Sequence, residues 1–417
     1  MKKNINITEI TKTIDNYNGP SAMMYHLMKH RPEGFFLRIY TMNRNAVIPS
    51  EIRKTAAELD CEIIQLNDGI RNYFHRRHTF ADIRIVFGID KSYGEGNYKL
   101  RKNTLQQIFN FNPDIVWVYN EKYTTISRQL CHFNLLICGY DCMPLHYNRL
   151  LNDGYCFLTP KRYLKAFYEY KAHIYWELEQ KEIRAKLYVV GINDAVHYRT
   201  ITGRDDIIFY PHPHFSLQDK IISFDKKKLS ILISGQYNEY TYTDSNQMCE
   251  TLIKNKNILR DKFTITFLGK KWEPIVSALQ DNGYTICHKI WVDKYATELT
   301  THDIQIFPIS VGSGTKGKVL DALSTGLLCI GSKIAMENIY VKHMHSCIQY
   351  DIVTDIGQIL NDIYENRDLF QKIAEQGKLM VRHYHNPSKI CELILNNTIN
   401  NIQYDGIDEY VKAICSL

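Results

Sequence analysis

Residues 303–332 read DIQIFPISVGSGTKGKVLDALSTGLLCIGS, and this stretch indicates the fold of the chain. A mostly apolar run at 304–309 is followed by a glycine-rich turn at 312–318, and a helical pattern of apolar residues then extends to Gly326. A second apolar run starts directly after that glycine, at Leu327. The order strand, glycine turn, helix, glycine stop and strand is typical of one repeat of a doubly wound α/β domain.

The glycine-rich turn predicts a phosphate-binding loop. A turn that opens a helix presents free backbone N–H groups and the positive end of the helix dipole, and both attract anions. Lys316 and Lys318 lie at the start of the same helix, where a cation opposes the dipole unless an anion is bound. We therefore expect at least one of the two lysines to contact a phosphate. The alternative is that both are solvated residues of the first turn.

One class of phosphate-binding protein fits this turn poorly. Gly312, Gly317 and Lys318 match the G-x-x-x-x-G-K pattern of P-loop nucleotide hydrolases. The next position should be Ser or Thr, whose hydroxyl holds magnesium, but it is Val319. The apolar run that follows also supplies no acidic metal ligand. The missing magnesium groups argue against a P-loop hydrolase.

The same stretch resembles the donor-binding signature of GT-B glycosyltransferases. Residues 308–326 are similar to P-x-x-x-G-S-G-T-[KR]-x-K-V-L-E-A-x-x-x-G, the usual form in the group-1 or family-4 type. The resemblance implies that Asp321, in the place of the family's Glu, binds the ribose hydroxyls of a nucleotide sugar. It also implies that the donor diphosphate is held by the glycine loop, which comprises Gly312, Ser313, Gly314, Thr315, Lys316, Gly317 and Lys318.

Weaker matches extend this resemblance to the first half of the chain. The segment Gly19-Pro20-Ser21 looks like the family's first glycine turn, and Tyr140-Asp141 stands where a His-Asp pair is common. The resemblance thus implies an α/β fold with two doubly wound Rossmann-like domains that face a cleft. We expect an acceptor-binding domain at 1–212 and a donor-binding domain at 213–394, with a helix at 395–417 that packs back on the first domain.

Two other segments predict local structure, one a loop region and the other a helix. Residues 67–104, rich in Asn, Gly and basic groups, predict a long loop region. Residues 161–187 predict a long helix with interleaved aromatic and basic residues. Its apolar stripe is expected to face the core and comprises Tyr163, Phe167, Tyr170, Ile174 and Leu178. The alternative is an interfacial helix whose basic residues meet anionic headgroups, namely Lys161, Arg162, Lys165 and Lys171.

The length and composition of the chain limit which classes of protein and which cellular locations are expected. The length of 417 residues fits two domains of about 200 residues each. The N-terminus lacks the apolar run of a signal peptide, and no stretch approaches the ~20 apolar residues that span a bilayer. The 11 cysteines are dispersed without a C-x-x-C pair and the 16 histidines form no metal motif, so we expect a reduced, cytoplasmic protein without a metal site.

The basic charge is concentrated in the first half of the chain. Residues 1–210 contain 29 Lys and Arg against 22 Asp and Glu, so the net charge of +6 arises there. This charge suits an anionic acceptor or an anionic membrane at its inner, cytoplasmic face, and it would equally serve solubility. Nucleic acid is not an expected partner, because the charge is dilute and no recognised motif is present.

Two residues are candidates for catalysis. Transfer of a sugar with inversion requires a general base near the acceptor hydroxyl, whereas with retention the departing diphosphate can assist deprotonation. Asp141 follows a predicted parallel strand, at the edge where such sheets bind ligands, although it would also serve as a helix cap or turn residue. His146 is nearby, but a lone histidine in a loop is often a bystander.

The sequence therefore leads to one main hypothesis and two alternatives. The main one is a glycosyltransferase that moves a sugar from a nucleotide diphosphate to a hydroxyl of a polysaccharide or lipid-linked glycan, with retention, without a metal and without a cofactor besides the donor. The first alternative is a sugar-nucleotide epimerase on the same fold. The second is a degenerate, non-catalytic partner subunit, which Asp321 and Tyr140 favour because both replace the family's usual residues.

Overall fold

The computed structural model describes residues 5–13, 19–43, 46–66, 98–119, 121–139, 141–215 and 218–416. The chain divides into two compact units. The first consists of Met1–Asn148, Leu164–Pro213 and Pro387–Asp408, and the second of Arg149–Tyr163, His214–Asn386 and Glu409–Leu417.

Within the described residues, the first unit is built on a seven-stranded parallel sheet. Its strands are β1 (Ile5–Thr11), β2 (Phe35–Thr41), β3 (Cys61–Gln65), β4 (Ile115–Tyr119), β5 (Leu135–Gly139), β6 (Lys186–Val189) and β7 (Ile207–Phe209). The order is β3-β2-β1-β4-β5-β6-β7. Strands β4 and β5 are buried at every position, which explains their continuous apolar sequences.

The second unit contains, in its described part, a six-stranded parallel sheet of the same kind. Its strands are β8 (Leu229–Ser234), β9 (Phe263–Leu268), β10 (Thr285–Lys289), β11 (Ile304–Phe307), β12 (Leu328–Ser332) and β13 (Ile348–Tyr350). The order is β10-β9-β8-β11-β12-β13, so the direction of strand progression reverses between β8 and β11.

Helices connect the strands throughout both units. The described α-helices are α1 (Gly19–Lys29), α2 (Pro49–Glu58), α3 (Lys102–Phe111), α4 (Thr124–Gln129), α5 (Met143–Leu151), α6 (Gly154–Phe157), α7 (Pro160–Glu179), α8 (Ile192–Thr202), α9 (Tyr242–Lys254), α10 (Lys256–Leu259), α11 (Glu273–Asp281), α12 (Tyr295–Thr300), α13 (Gly317–Thr325), α14 (Lys333–Met336), α15 (Ile356–Glu365), α16 (Arg367–Tyr384), α17 (Pro387–Ile399) and α18 (Gly406–Cys415). None of these described helices combines the length and the apolar character needed to cross a bilayer.

The two parallel sheets with connecting helices confirm the predicted fold class. The loop region predicted at 67–104 is wrong at its end, because α3 begins at Lys102. Its apolar residues Leu105, Ile108 and Phe109 recur at helical spacing, a signal that the polar composition obscured. Residues 67–97 lie outside the described part of the chain.

The C-terminal segment contributes to both units, whereas the sequence suggested that 395–417 packs as one piece on the first. Helix α17 groups with the first unit, where the Asn134 side chain donates to the carbonyl of Thr398 at 2.9 Å. The last residues group with the second unit, where the Tyr410 hydroxyl donates to the carbonyl of Ile339 at 3.0 Å.

A buried carboxylate fixes the start of β11, the strand that leads to the glycine loop. Asp303 is fully buried and accepts hydrogen bonds from Lys220 at 3.1 Å, from Lys226 at 2.6 Å and from both the backbone amide and the hydroxyl of Ser230. Burial alone would raise the pKa of Asp303, but the two lysines and Ser230 outweigh it and the pKa is lowered. Since Ser230 lies in β8, these contacts also hold β11 in register with β8.

A second buried carboxylate, Glu9, lies at the centre of the first sheet. The register of β1 places it between Ile39 of β2 and Trp117 of β4. Its side chain is fully buried, and neither oxygen has a hydrogen-bond partner among the described residues. Burial raises the pKa of Glu9 to about 8, so the side chain is mostly protonated at neutral pH.

We expect Glu9→Gln to stabilise the protein at pH 8 and to change its stability little at pH 5. Because the folded pKa is raised from 4.5 to about 8, the folded state loses stability as the pH rises through this window. The maximal slope is about 1.4 kcal/mol per pH unit. Urea denaturation of both proteins at pH 5, 6, 7 and 8 measures the difference in free energy of unfolding.

Glu33→Gln is the matched control, because it removes an exposed carboxylate of the same unit. Its difference from the wild type should not change with pH. A Glu9→Gln difference that is the same at pH 5 and pH 8 would show that Glu9 is ionised in the folded protein throughout this range.

Candidate functional site

The glycine loop joins β11 to α13 in the second unit. β11 ends at Phe307, and α13 begins at Gly317 and is terminated by Gly326, as the sequence pattern predicts. The N-cap position is Lys316, whose side chain makes no capping hydrogen bond. Gly314 has a φ of 62°, in the left-handed region that favours glycine. The loop therefore turns sharply and leads the chain into a helix whose N-cap side chain, Lys316, does not cap it.

The loop lies where the strand order of the second sheet reverses. β11 pairs with β8 on one side and β12 on the other, while β8 also pairs with β9. Parallel sheets bind ligands outside the carboxyl ends of their strands at such a point. The turns after β8 and β9 meet closely here, since a Cβ on Gly269 would lie 1.8 Å from the carbonyl oxygen of Gly235. Only glycine at position 269 permits this approach.

Lys318 is the loop cation that faces this point. Its ammonium lies near Gly235, where an added Cβ would be 3.7 Å away, and 5.9 Å from the centre of the Tyr295 ring. The side chain is exposed to solvent, yet the surrounding protein lowers the pKa of Lys318 by desolvation, an effect that Asp321 opposes. The Lys318 ammonium is thus accessible to an anion beside the turn that follows β8.

Lys316 is oriented differently, back toward the loop itself. Its ammonium donates to the carbonyl oxygens of Ser313 and Gly314, each at 3.0 Å, and lies 3.4 Å from a carboxylate oxygen of Glu337. The two lysines of the signature therefore have different surroundings, and Lys318 is the better candidate for contact with a phosphate.

Asp321 lies one turn into α13 and is half-buried. One of its carboxylate oxygens accepts a hydrogen bond from the backbone amide of Phe215 at 3.2 Å. Burial raises the pKa of Tyr295, and the negative charge of Asp321 contributes in the same direction to a lesser degree. The Tyr295 hydroxyl is in turn hydrogen-bonded to Ser234, at the end of β8, over 2.9 Å. Asp321, Lys318 and Tyr295 thus form one group beside the strand ends.

The candidate residues of the first unit lie after β5. Asp141 is half-buried and directly precedes α5, while Tyr140 lies outside the described residues. His146 is buried within α5, with its ring 4.9 Å from that of Tyr147. Asp141 is therefore the more accessible of the two predicted catalytic side chains.

The glycine turn predicted near the N-terminus is only partly described. Helix α1 begins at Gly19, so the helix contains Gly19, Pro20 and Ser21. Residues 14–18, which connect β1 to this helix, lie outside the described part of the chain. A glycine turn at the end of β1 therefore stays a prediction.

The structure overturns the predicted core stripe of the long helix α7. Tyr163 and Leu178 are exposed, and Phe167, Tyr170 and Ile174 are only half-buried. The buried positions carry small or polar residues instead, namely Ala166, Ala172, His173 and Glu177. The aromatic spacing misled because it fits either face of a helix, and here the face with small and polar residues is the buried one.

This polar face contributes to a buried cluster behind Asp141 that the sequence did not indicate. The backbone amide of Cys142 donates to Asp194 at 2.7 Å, and its thiol donates to Glu177 at 3.3 Å. Burial raises the pKa of Glu177 well above its usual value, and Glu121 and Asp194 contribute in the same direction. The cluster fixes the turn between β5 and α5, which carries Asp141.

Metal-ligating side chains are not gathered in the described part of the chain. No group of three or more His, Cys, Asp or Glu residues there has an arrangement that would hold a metal ion.

Comparison with known proteins identifies the fold. No protein-family model matches the sequence, and no curated protein matches it. HepE from Anabaena, solved in complex with UDP and glucose, is similar with a TM-score of 0.62 at 9% identity, over 94% of this chain and 99% of HepE. Sucrose-phosphate synthase from Thermosynechococcus elongatus has a TM-score of 0.63 at 12% identity, over 95% and 99% of the two chains.

A third solved structure, WaaG, is described as a glycosyltransferase involved in lipopolysaccharide biosynthesis. Its TM-score is 0.59 at 12% identity, over 93% of this chain and 99% of WaaG. The two sheets, their strand orders and these likenesses confirm that the chain has the two-domain, Rossmann-like GT-B fold.

We expect Asp321→Asn to weaken nucleoside diphosphate binding about ten-fold, or by about 1–2 kcal/mol, while the fold is retained. If Asp321 binds ribose hydroxyls, as the resemblance implies, the substitution replaces charge-assisted hydrogen bonds by neutral ones, and the amide oxygen can still accept from Phe215. Isothermal titration with UDP, GDP and ADP measures the affinity.

The matched control is Glu250→Gln, which removes an exposed carboxylate from α9 of the same unit. It should leave nucleotide affinity unchanged. Equal affinities of wild type and Asp321→Asn would exclude Asp321 from the ribose site without affecting the role of the glycine loop.

Proposed function

We propose that this protein is a glycosyltransferase that uses a nucleoside-diphosphate sugar as its donor. The observation that carries the proposal is the glycine loop at the reversal of strand order, with Lys318 and Asp321 on the same helix. In this proposal the second unit binds the donor and the first unit binds the acceptor. The acceptor is a hydroxyl of a polysaccharide or a lipid-linked glycan.

The loop has the charges that departure of a diphosphate requires. The leaving group carries about two negative charges, and preorganised donors stabilise such charge most effectively. The start of α13 offers backbone amides and the positive end of the helix dipole, and the accessible, partly desolvated ammonium of Lys318 adds a full charge. We infer from these groups a transfer in which the protein itself supplies the charge stabilisation, with no metal required.

The solved relatives support the choice of donor class. Structures of HepE have been determined with UDP, with UDP and glucose, and with UDP-glucose. These ligands belong to HepE, and the same class of donor is proposed here because the fold and the glycine loop are compatible with it. A UDP-sugar is accordingly the first donor to test.

On the acceptor side we propose that Asp141 lies next to the reacting hydroxyl. It is half-buried at the carboxyl end of β5, whereas His146 is buried and is assigned a supporting role behind it. With retention of configuration the departing diphosphate accepts the hydroxyl proton, so that Asp141 orients the acceptor and is not required as the base.

A peripheral contact with an anionic membrane is a further part of the proposal. Phe157 and Leu158, at the end of α6, are 68% and 44% exposed, and Tyr163, in the first turn of α7, is 41% exposed. Lys161 is exposed between them, and the Arg162 guanidinium lies 4.2 Å from the centre of the Tyr155 ring. Exposed apolar side chains with interspersed cations favour the surface of an anionic bilayer. Such a location would bring the enzyme to lipid-linked acceptors at the cytoplasmic face.

We expect a nucleoside diphosphate or its sugar to raise the melting temperature of the protein by a few degrees. A ligand at 100 times its Kd stabilises the folded state by about 2.7 kcal/mol. Thermal denaturation with UDP, GDP and CMP sugars, and with the free nucleotides, measures the shift. Lys318→Gln should reduce the shift, whereas Lys333→Gln, which removes an exposed lysine of the same unit, should not.

The transfer itself is tested by incubating the protein with the stabilising donor and cell-derived lipid-linked glycans. Mass spectrometry should detect an acceptor that has gained one sugar, and NMR of the product reports retention or inversion. Interconversion of the donor sugar without any acceptor would indicate the epimerase. Binding without any reaction would favour the non-catalytic partner, and no thermal shift with any nucleotide would contradict the donor site itself.

We expect vesicles that contain phosphatidylglycerol to bind the protein, and vesicles of phosphatidylcholine alone to bind it weakly. The double variant Phe157→Ser, Leu158→Ser should lower the sedimented fraction several-fold, because it removes the apolar contact. A control variant, Ile352→Ser, Leu379→Ser, removes two equally exposed apolar side chains elsewhere in the second unit. Equal sedimentation of the two variants would rule out this surface as the membrane contact.

A further inference from the structure

Three carbonyl oxygens of the glycine loop accept hydrogen bonds from one group of side chains. Arg149 donates to the carbonyl of Gly312 at 2.6 Å. Lys316 donates to the carbonyls of Ser313 and Gly314, and the side-chain amide of Asn338 also donates to Gly314, each at 3.0 Å. Three successive carbonyl oxygens of the loop thus accept hydrogen bonds from three side chains.

Glu337 holds two of these donors together. Its carboxylate accepts both terminal nitrogens of Arg149, at 2.7 and 2.9 Å, and lies 3.4 Å from the Lys316 ammonium. The Glu337 side chain is only 10% exposed, so this bidentate pair is shielded from water. Because both cations contact the same carboxylate, the three loop carbonyls converge on one side of the loop.

Peptide geometry then determines where the loop amides point. In a planar trans peptide the C=O of one residue and the N–H of the next lie on opposite sides of the bond. With the carbonyls of 312, 313 and 314 turned toward Glu337, the N–H groups of Ser313, Gly314 and Thr315 are directed to the opposite side. Successive N–H groups directed to one side of a turn form a concavity that binds anions.

We propose that Arg149 and Glu337 are positioning residues for the donor diphosphate. They act through the loop: Arg149 and the Glu337-bound Lys316 keep the carbonyls turned away, so that the amides face the phosphate. The inference rests on the proposed function, in that the anion is taken to be the diphosphate of a nucleotide. It adds two residues outside the signature, one of them 163 positions from its loop partner in sequence.

The test compares ligands with and without phosphate. Arg149→Lys keeps the charge but loses the two-pronged contact with Glu337, and Glu337→Gln keeps the shape but loses the charge. Isothermal titration with UDP, GDP or ADP, whichever binds the wild type, should show about a ten-fold loss of affinity in both variants. Affinity for the corresponding nucleoside, which lacks the diphosphate, should change less than about two-fold.

Asp219→Asn serves as the matched control, since Asp219 also pairs with two basic residues of the second unit, Lys378 and Arg382. It should change neither affinity. Equal losses for diphosphate and nucleoside would reduce Arg149 and Glu337 to a general structural role and overturn the inference, as would unchanged diphosphate affinity in Arg149→Lys and Glu337→Gln. A wild type that binds no nucleotide overturns the proposed function, and the inference with it.

Discussion

Parallel strand pairing is the constraint on which the rest of the structure depends. Because neighbouring strands of both described sheets run parallel, the loops that leave their carboxyl ends emerge at a common edge. In the second unit this edge gathers Gly235, Gly269 and the glycine loop, which are far apart in sequence but adjacent in the sheet. In the first unit it gathers Glu121, Asp141 and the start of α8. Each unit therefore brings residues that are distant in sequence together at one edge of its sheet.

Three buried carboxylates, Asp303, Glu9 and Glu177, differ in what determines their pKa. Asp303 of the second unit is held ionised by Lys220 and Lys226, whose attraction outweighs the desolvation of burial. Glu9 and Glu177 of the first unit have raised pKa values because burial dominates, and no cation is among the groups that shift them. A protonated carboxyl group is a neutral hydrogen-bond donor and acceptor, so Glu9 lies in the sheet mostly without a charge at neutral pH. Glu177 belongs to the cluster that holds Cys142, the residue next to Asp141, on which acceptor binding is proposed to depend.

The sequence predicted the local order of strands, turns and helices. It did not predict the contacts between residues that are distant in sequence. The segment at 303–332 specifies its strand, turn and helix through the order of apolar runs and glycines, and the structure follows this order to within a residue or two. The burial of α7 depends on which of its faces packs against the rest of the unit, and the spacing of Tyr163 and Phe167 carries no information on that choice. Arg149 was missed for a further reason: its contacts with Gly312 and Glu337 join positions more than 160 residues apart, and an isolated arginine in a helix has no distinguishing pattern.

The path of the chain through the two units has a consequence for how the molecule is made. The first unit is complete only when α17 is added, because the side chains of Asn134 and Lys186 donate to carbonyls of that helix. During synthesis, the sheet of the first unit emerges from the ribosome long before α17, because most of the second unit is translated between them. The second unit, in turn, takes its final residues from beyond that helix. Each unit thus needs a segment that follows most of the other unit in the chain, so their maturation is linked in time although each has its own core.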